Sequence, residues 1–175
     1  MMSEISSRES PRSRTAHLPA VSIVVPVLNE AGNISPLVQE ITDALTAVAD
    51  FEIIYIDDGS TDATPQVLAK LTKTVSELRF LRHQKRAGQS AAVRTGVDAA
   101  SFPLIATLDG DGQNVPADIP DLLHLYLRES GPDGKLLVAG WRTGRKDNWS
   151  KRISSKIANG VRSAMLGDET PDTGC

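Results

Sequence analysis

The chain has 175 residues, of which 40% are hydrophobic and 23% are charged, as is typical of a globular protein with a sizeable core. Its net charge of −3 argues against general nucleic-acid binding, and no apolar run reaches the roughly 18 residues that a membrane-spanning helix needs. The single cysteine is Cys175, which excludes an intramolecular disulfide and a cysteine-based metal cluster.

The first twenty residues differ in composition from the rest of the chain. Residues 1–20 are rich in Ser and Arg, contain few apolar residues and lack the hydrophobic stretch of a signal peptide. We therefore predict a disordered N-terminal tail over 1–20. A single folded domain is expected over 21–175.

Strand-like and helix-like patterns alternate after this tail. Runs of strand length that are rich in apolar residues cover 21–27, 51–56, 104–108 and 136–140, and a weaker strand is predicted over 78–83. Each run is followed by apolar residues at helical spacing, which predicts a helix. The predicted helices begin after Asn33 as an N-cap, near Thr61, at Gly88 and near Pro116, and a last, basic helix covers 150–166. The helix after Gly88 is rich in alanine, which allows close packing on a sheet. This order predicts an α/β fold with a mostly parallel central sheet flanked by helices.

Acidic residues follow three of the predicted strands. Glu30 comes after the first strand, Asp57 and Asp58 after the second, and Asp109 and Asp111 after the fourth. Each loop taken alone is explained by helix capping, for which Ser60 and Asp62 are candidates. Taken together, the acids are expected to meet at the carboxyl edge of the sheet, where ligands bind in such folds. Their mutual repulsion indicates a divalent cation or the hydrogen-bond donors of a ligand.

The sequence Asp109-Gly-Asp111, with Gln113 two residues further on, has the spacing of a site for a hard cation such as Mg2+ or Mn2+. A calcium loop of the EF-hand type is excluded, because Asn114 and Pro120 stand where Gly and Glu are required. A phosphatase of the haloacid dehalogenase type remains an alternative. It is less favoured, because that motif normally opens its domain.

A basic segment follows the last predicted strand. Residues 141–162 hold seven basic residues against one acid, whereas residues 1–140 hold 12 against 18. One interpretation is a solvated helix face, and the other is an anion site or a surface that contacts anionic lipid. Trp141 and Trp149 flank the segment, either as ordinary packing or at a membrane interface.

Four blocks, VVPVLNE, IDDGSTD, DGDGQ and GWRTGRKDNWSKRISSKIAN, resemble family 2 glycosyltransferases in content and order. The resemblance runs from Val21 to Cys175, and the subgroup is the dolichyl-phosphate mannose synthase-like, polyprenyl-phosphate glycosyltransferases. It implies a Rossmann-like GT-A fold and an inverting, metal-dependent transfer of sugar from GDP-mannose or a UDP-hexose to a polyprenyl or dolichyl phosphate. It also implies a cytoplasmic enzyme, peripheral at the cytosolic membrane face, with Mg2+ or Mn2+ as cofactor.

The same resemblance implies roles for individual residues. The nucleotide-sugar is expected to bind Pro26, Leu28, Glu30, Ile56, Asp57, Asp58, Gly88, Arg142 and Arg152. Asp109, Asp111 and Gln113 match the metal triad that holds the diphosphate. Asp109 and Asp111, together with Asp172 of the acceptor-side block, are the catalytic candidates.

Two departures from the family pattern are visible. The family's domain normally continues beyond the last block, so we expect this GT-A domain to be incomplete at its C-terminal end, and a nucleotide-sugar-binding module without turnover is the alternative function. Gly110 stands where related sequences often have Ala, and we expect that exchange to have little effect.

Overall fold

The computed structural model describes residues 17–132 and 134–140. The strands are β1 (Leu18–Val27), β2 (Ala49–Asp57), β3 (Leu78–Arg82) and β4 (Leu104–Thr107). The helices are α1 (Ile34–Leu45), α2 (Thr64–Leu71), α3 (Gln89–Ala99) and α4 (Ile119–Glu129), and a 3-10 turn at Pro116–Asp118 leads into α4. The predicted tail up to residue 16, the basic segment 141–162 and the predicted helix 150–166 lie outside the described residues.

The four strands form one parallel sheet in the order β3-β2-β1-β4. β1 lies inside the sheet, where Ile23 is paired with Ile53 of β2 and with Ala106 of β4. Its continuous apolar sequence follows from this position, because both of its faces are covered. The strand order reverses between β1 and β4, which is where open α/β sheets bind their ligands. The prediction of an α/β fold with a parallel sheet is confirmed.

Helices cover both faces of this sheet. α1, α2 and α4 pack on one face, where Leu37 and Ile41 of α1 join Ile23 and Tyr55 in the larger core cluster. α3 packs on the opposite face, where Ala92 lies against a smaller cluster of Val24, Ile54 and Ile56. A Cβ added at Gly96 of α3 would overlap Val24 and lie 2.6 Å from Ile56 Cδ1. Small residues on α3 therefore allow the close packing that its sequence predicts.

The starts of β1 and α2 are among the element boundaries that differ from those predicted. β1 begins at Leu18 rather than at Val21, because the Leu18 amide donates to the Val48 carbonyl at 2.7 Å and the Leu18 side chain is buried. α2 begins at Thr64 rather than near Thr61. The amides of Thr61 and Asp62 donate instead to the Asn29 side chain, which holds this stretch outside the helix.

The predicted strand over 136–140 is not formed. Residues 134–140 have no strand structure, and Leu137 is 90% exposed. An apolar run becomes a strand only where a neighbouring strand pairs with it, and no strand of the described residues does so here. Within the same part of the chain, no helix has the length and apolar character needed to cross a bilayer.

Candidate functional site

A cavity of about 250 Å³ opens at the carboxyl ends of β1, β2 and β4. Its lining residues are Pro26, Val27, Leu28, Glu30, Asp58, Arg86, Gln89, Ala92, Asp109, Gly110 and Asp111. The cavity lies at the reversal of strand order, where the fold predicts a ligand site. Of the predicted site residues, the structure brings together six around this cavity: Pro26, Leu28, Glu30, Asp58, Asp109 and Asp111.

The loops after β1 and β2 bind each other at the edge of this cavity. Asn29 has a left-handed backbone (φ 59°), and its Oδ1 accepts hydrogen bonds from the amides of Thr61 at 2.8 Å and Asp62 at 3.3 Å. In return, the Asn29 amide donates to Ser60 Oγ at 2.8 Å and the Glu30 amide to Thr64 Oγ1 at 3.0 Å. These polar residues therefore hold the two loops in register, so that Leu28, Glu30 and Asp58 face one cavity.

Asp57 and Ile56 lie in the interior rather than at the cavity. Asp57 is fully buried, its Oδ1 accepts the Ser60 amide at 2.8 Å, and its Oδ2 lies 3.0 Å from Arg82 Nε. Ile56 packs among the residues under α3. The structure thus places Asp57 as the support of the turn after β2, whereas the resemblance implied a nucleotide contact for both residues.

Asp58 lines the cavity and also anchors the loop between β3 and α3. It is only 4% exposed, and its carboxylate accepts hydrogen bonds from the amides of Ala87 and Gly88, each at 2.8 Å, and from His83 Nδ1 at 2.7 Å. Burial raises the pKa of Asp58, but the hydrogen bonds from Ala87, His83 and Gly88 outweigh it and bring the pKa below its usual value. Asp58 is therefore ionised at neutral pH.

Asp109 and Asp111 line the cavity from the β4 side. Asp109 Oδ1 accepts a hydrogen bond from Gln89 Nε2 at 3.0 Å, and the Asp109 amide donates to Asn114 Oδ1 at 2.9 Å. Asp111 Oδ1 accepts the Gln113 amide at 3.0 Å, which closes a tight turn. Gln113, the third member of the predicted metal triad, is not among the cavity-lining residues.

The donor set at this position suits a hard divalent cation. Within 17–132 and 134–140, the structure contains no cluster of three or more His, Cys, Asp or Glu residues that could hold a metal. Two carboxylates alone still fit Mg2+ or Mn2+, because these ions often keep several waters and complete their shell with substrate phosphates. The residues present fit a metal that binds together with a diphosphate.

Gly110 lies between the two carboxylates in a tightly packed position. A Cβ added there would overlap Val27 Cγ1 and lie 3.1 Å from the Pro26 carbonyl oxygen. The sequence led us to expect little effect of alanine at this position. From the packing, we instead expect Gly110→Ala to lower the free energy of unfolding by about 1–3 kcal/mol through overpacking. Urea denaturation checks this, with Gly32→Ala as control because its added Cβ has nothing within 4 Å. Equal stability of the two variants would contradict the packing seen here.

Five cavity-lining residues were not predicted as site residues, namely Val27, Arg86, Gln89, Ala92 and Gly110. Arg86 and Gln89 lie after β3, and the prediction rested on acidic residues at strand ends, which the stretch from residue 83 to 89 does not contain. Gly88, which was predicted, is not among the cavity-lining residues and supports Asp58 through its amide. Arg142, Arg152 and Asp172 lie outside the described residues.

Sequence comparison identifies the relatives of this chain. The Glycosyl transferase family 2 domain matches residues 22–173. Dodecaprenyl-phosphate galacturonate synthase from Rhizobium johnstonii is 40% identical over 162 residues, which cover 89% of this chain and 46% of that protein. Undecaprenyl-phosphate 4-deoxy-4-formamido-L-arabinose transferase from Aeromonas hydrophila is 32% identical over 157 residues, which cover 89% of this chain and 47% of that protein. The chain spans about half the length of the curated relatives it matches.

Solved structures resemble the described fold. S. aureus TarS 1-349, in complex with UDP-GlcNAc, has a TM-score of 0.51 at 20% identity, covering 63% of this chain and 32% of that one. A mannosyltransferase from Pyrobaculum calidifontis, in complex with GDP-Man and Mn2+, has a TM-score of 0.49 at 26% identity, and the match covers 55% of this chain and 29% of that one. The fold expected from the resemblance is confirmed, and the chain belongs to glycosyl transferase family 2 with the GT-A fold.

Proposed function

We propose that the cavity at the carboxyl ends of β1, β2 and β4 binds the nucleotide-sugar donor of a polyprenyl-phosphate sugar transferase. The observation that carries this proposal is the meeting of Asp58 with Asp109 and Asp111 around one cavity at the reversal of strand order. The relatives named as dodecaprenyl-phosphate and undecaprenyl-phosphate sugar transferases support the acceptor class.

The two sides of the cavity suit different parts of the donor. On the β1 and β2 side, Pro26 and Leu28 offer apolar surface, and the ionised Asp58 offers a hydrogen-bond acceptor to the N–H groups of a base. On the β4 side, Asp109 and Asp111 would hold Mg2+ or Mn2+. When bound, such a cation neutralises charge on the diphosphate leaving group. Arg86 adds a cation of the protein's own at the same cavity.

The transfer itself needs orientation more than a strong base. An oxygen of the acceptor phosphate forms the new bond to the anomeric carbon, while the bond from that carbon to the donor diphosphate breaks and the nucleoside diphosphate leaves with its electron pair. Attack opposite to the leaving group inverts the anomeric centre. Because the acceptor phosphate is already anionic, the protein contributes chiefly by positioning the two substrates and stabilising the departing charge.

The basic segment 141–162 completes this proposal. Arg142 and Arg152 are assigned to phosphate groups, because a guanidinium can form two parallel hydrogen bonds with one phosphate. Lys151, Lys156 and Arg162 are assigned to anionic headgroups at the cytosolic membrane face, where each cation contributes about 1 kcal/mol. Asp172 is assigned to the acceptor side.

A module that binds the nucleotide-sugar without turnover is the second candidate function. The observation that favours it is that all residues lining the donor cavity lie between Pro26 and Asp111. Donor binding by these residues can therefore be measured separately from transfer to an acceptor. The phosphatase alternative is excluded by the family and by the position of Asp109 after the fourth strand.

Calorimetry on the whole chain with UDP, GDP and UMP, each with and without Mn2+, tests donor binding. We expect at least one diphosphate to bind with a dissociation constant below about 1 mM, equivalent to roughly −4 kcal/mol, and only when Mn2+ is present. UMP, which lacks the second phosphate, should bind more weakly and depend less on Mn2+. The proposal is wrong if neither diphosphate binds tighter than about 1 mM with Mn2+ present.

A further inference from the structure

His83 is built into the support of the donor cavity without being one of its lining residues. It directly follows β3, and its ring Nδ1 lies 2.7 Å from Asp58 Oδ1. A carboxylate can only accept a hydrogen bond, so Nδ1 carries the proton and donates it to Asp58. The ring is therefore fixed to the carboxylate on this side.

The other side of the His83 ring contacts α3. Nε2 lies 3.0 Å from Thr95 Oγ1, and that hydroxyl is also 3.0 Å from the Ala91 carbonyl oxygen. A hydroxyl can donate one hydrogen bond and accept others, and it rotates to suit its partners. The Thr95 hydroxyl can accept from a protonated ring while donating to Ala91, or donate to a neutral ring. Both charge states of His83 thus retain the contact with Asp58.

The Asp58 carboxylate transmits this contact to the loop before α3. Oδ1 also accepts the Ala87 amide and Oδ2 accepts the Gly88 amide, each at 2.8 Å. Gly88 has φ +98°, a left-handed conformation that favours glycine, so the loop has one well-defined turn at this point. Asp58, held by His83, is therefore the anchor of this turn.

The anchored loop carries two cavity residues. Arg86 precedes Ala87, and Gln89 follows Gly88; both line the cavity, and Gln89 Nε2 donates to Asp109 Oδ1 at 3.0 Å. A displacement of the turn would move both side chains and remove the hydrogen bond that orients Asp109. A continuous chain of contacts thus connects His83 to the acid pair.

We propose that His83 is a positioning residue of the donor site, which through Asp58 holds the 86–89 loop in the geometry that presents Arg86 and Gln89 to the nucleotide. This inference rests on the donor-binding function proposed above and adds to it a residue that acts without being a cavity-lining group. Asp58 accordingly has two roles, because its carboxylate lines the cavity and also anchors the 86–89 loop that carries Arg86 and Gln89.

Two isosteric variants separate this role from a general effect on stability. In His83→Asn, the amide Nδ2 takes the place of ring Nδ1 and can still donate to Asp58. In His83→Gln, the amide matches ring Nε2, so the contact with Thr95 is retained and the contact with Asp58 is lost. We expect UDP affinity with Mn2+ to stay near the wild-type value in His83→Asn and to fall about tenfold in His83→Gln.

Amide hydrogen exchange of Ala87 and Gly88 provides a second measurement that does not depend on the nucleotide. We expect protection of both amides to persist in His83→Asn and to fall in His83→Gln, at urea midpoints that are similar for the two variants. Equal UDP affinity, or equal protection of both amides, in the two variants would overturn the proposal. Absence of binding of both UDP and GDP to the wild-type chain would refute the proposed function, while exchange would still decide whether His83 holds the loop.

Discussion

Asp109→Asn and Asp111→Asn are each expected to weaken Mn2+-dependent UDP binding by roughly 100-fold or more, since loss of even a supporting group of a metal site costs about 10–100-fold. Each substitution removes one of the two carboxylates that line the cavity on the β4 side. Calorimetry with and without Mn2+ measures the effect. The fold should remain intact, and stability should equal or exceed that of the wild type, because neighbouring carboxylates repel each other in the metal-free site.

Asp98→Asn is the matched control for these two variants. This substitution also removes one negative charge. Asp98, however, lies on α3 in an exposed ion pair with Arg94 and does not line the cavity. Its substitution should leave UDP affinity unchanged and stability within about 0.5 kcal/mol. Unchanged Mn2+-dependent affinity in both Asp109→Asn and Asp111→Asn would show that the Asp-Gly-Asp turn has only a structural role.

Asp58→Asn should produce the largest loss of stability among the cavity residues, about 2–4 kcal/mol at neutral pH. The carboxylate accepts two backbone amides and the His83 ring, and an asparagine in the same position offers one oxygen and a misplaced NH2 group. One of the donors is then left without its partner in a buried position, which costs more than a lost surface hydrogen bond. UDP binding should be lost together with the stability.

The stability effect of Asp58→Asn should depend on pH. Because hydrogen bonding lowers the pKa of folded Asp58 below its usual 3.8, its contribution is complete above that value and is lost as the pH falls through the folded pKa. Urea denaturation at neutral pH and near pH 3 should therefore show a smaller difference between wild type and variant in acid. A difference that stays constant or grows in acid would contradict an ionised, hydrogen-bonded Asp58.

Much of the fold can be predicted because buried positions are occupied by apolar residues, and their pattern is visible in the sequence. The run VSIVVPV is apolar on both faces, since β1 is covered by neighbouring strands on its edges and by helices on its faces. The run LLVAG at 136–140 has the same apolar character and forms no strand. The difference is pairing with a neighbouring strand, a long-range property that the local pattern does not contain.

The site could be predicted only in part for a similar reason. The rule that ligands bind at the carboxyl ends of parallel strands correctly brings together Glu30, Asp58 and the Asp109-Gly-Asp111 turn. It does not tell which carboxylate is buried, so the support role of Asp57 follows only from its hydrogen bond with the Ser60 amide and its ion pair with Arg82.

Hydrogen bonds between distant residues determine the remaining features. Asn29 is the last but one residue of the segment VVPVLNE, yet its side chain binds the loop more than thirty residues further along and thereby delays the start of α2. Likewise, His83 and Asp58 are separated by 25 residues and meet only because β2 and β3 are neighbours. Such pairs carry no periodicity that a single sequence reveals.

The most direct test of the donor site is paramagnetic broadening by Mn2+ in the amide spectrum of the 15N-labelled chain with UDP present. We expect the amides of Leu28, Gly110 and Gly112, which follow the carboxyl ends of β1 and β4, to broaden selectively. The amides of Leu78 and Ser101, at the amino ends of β3 and β4, should remain sharp. Broadening centred on Leu78 or Ser101, or a uniform effect across the chain, would contradict a metal-dependent nucleotide site between Asp58 and the Asp109-Gly-Asp111 turn.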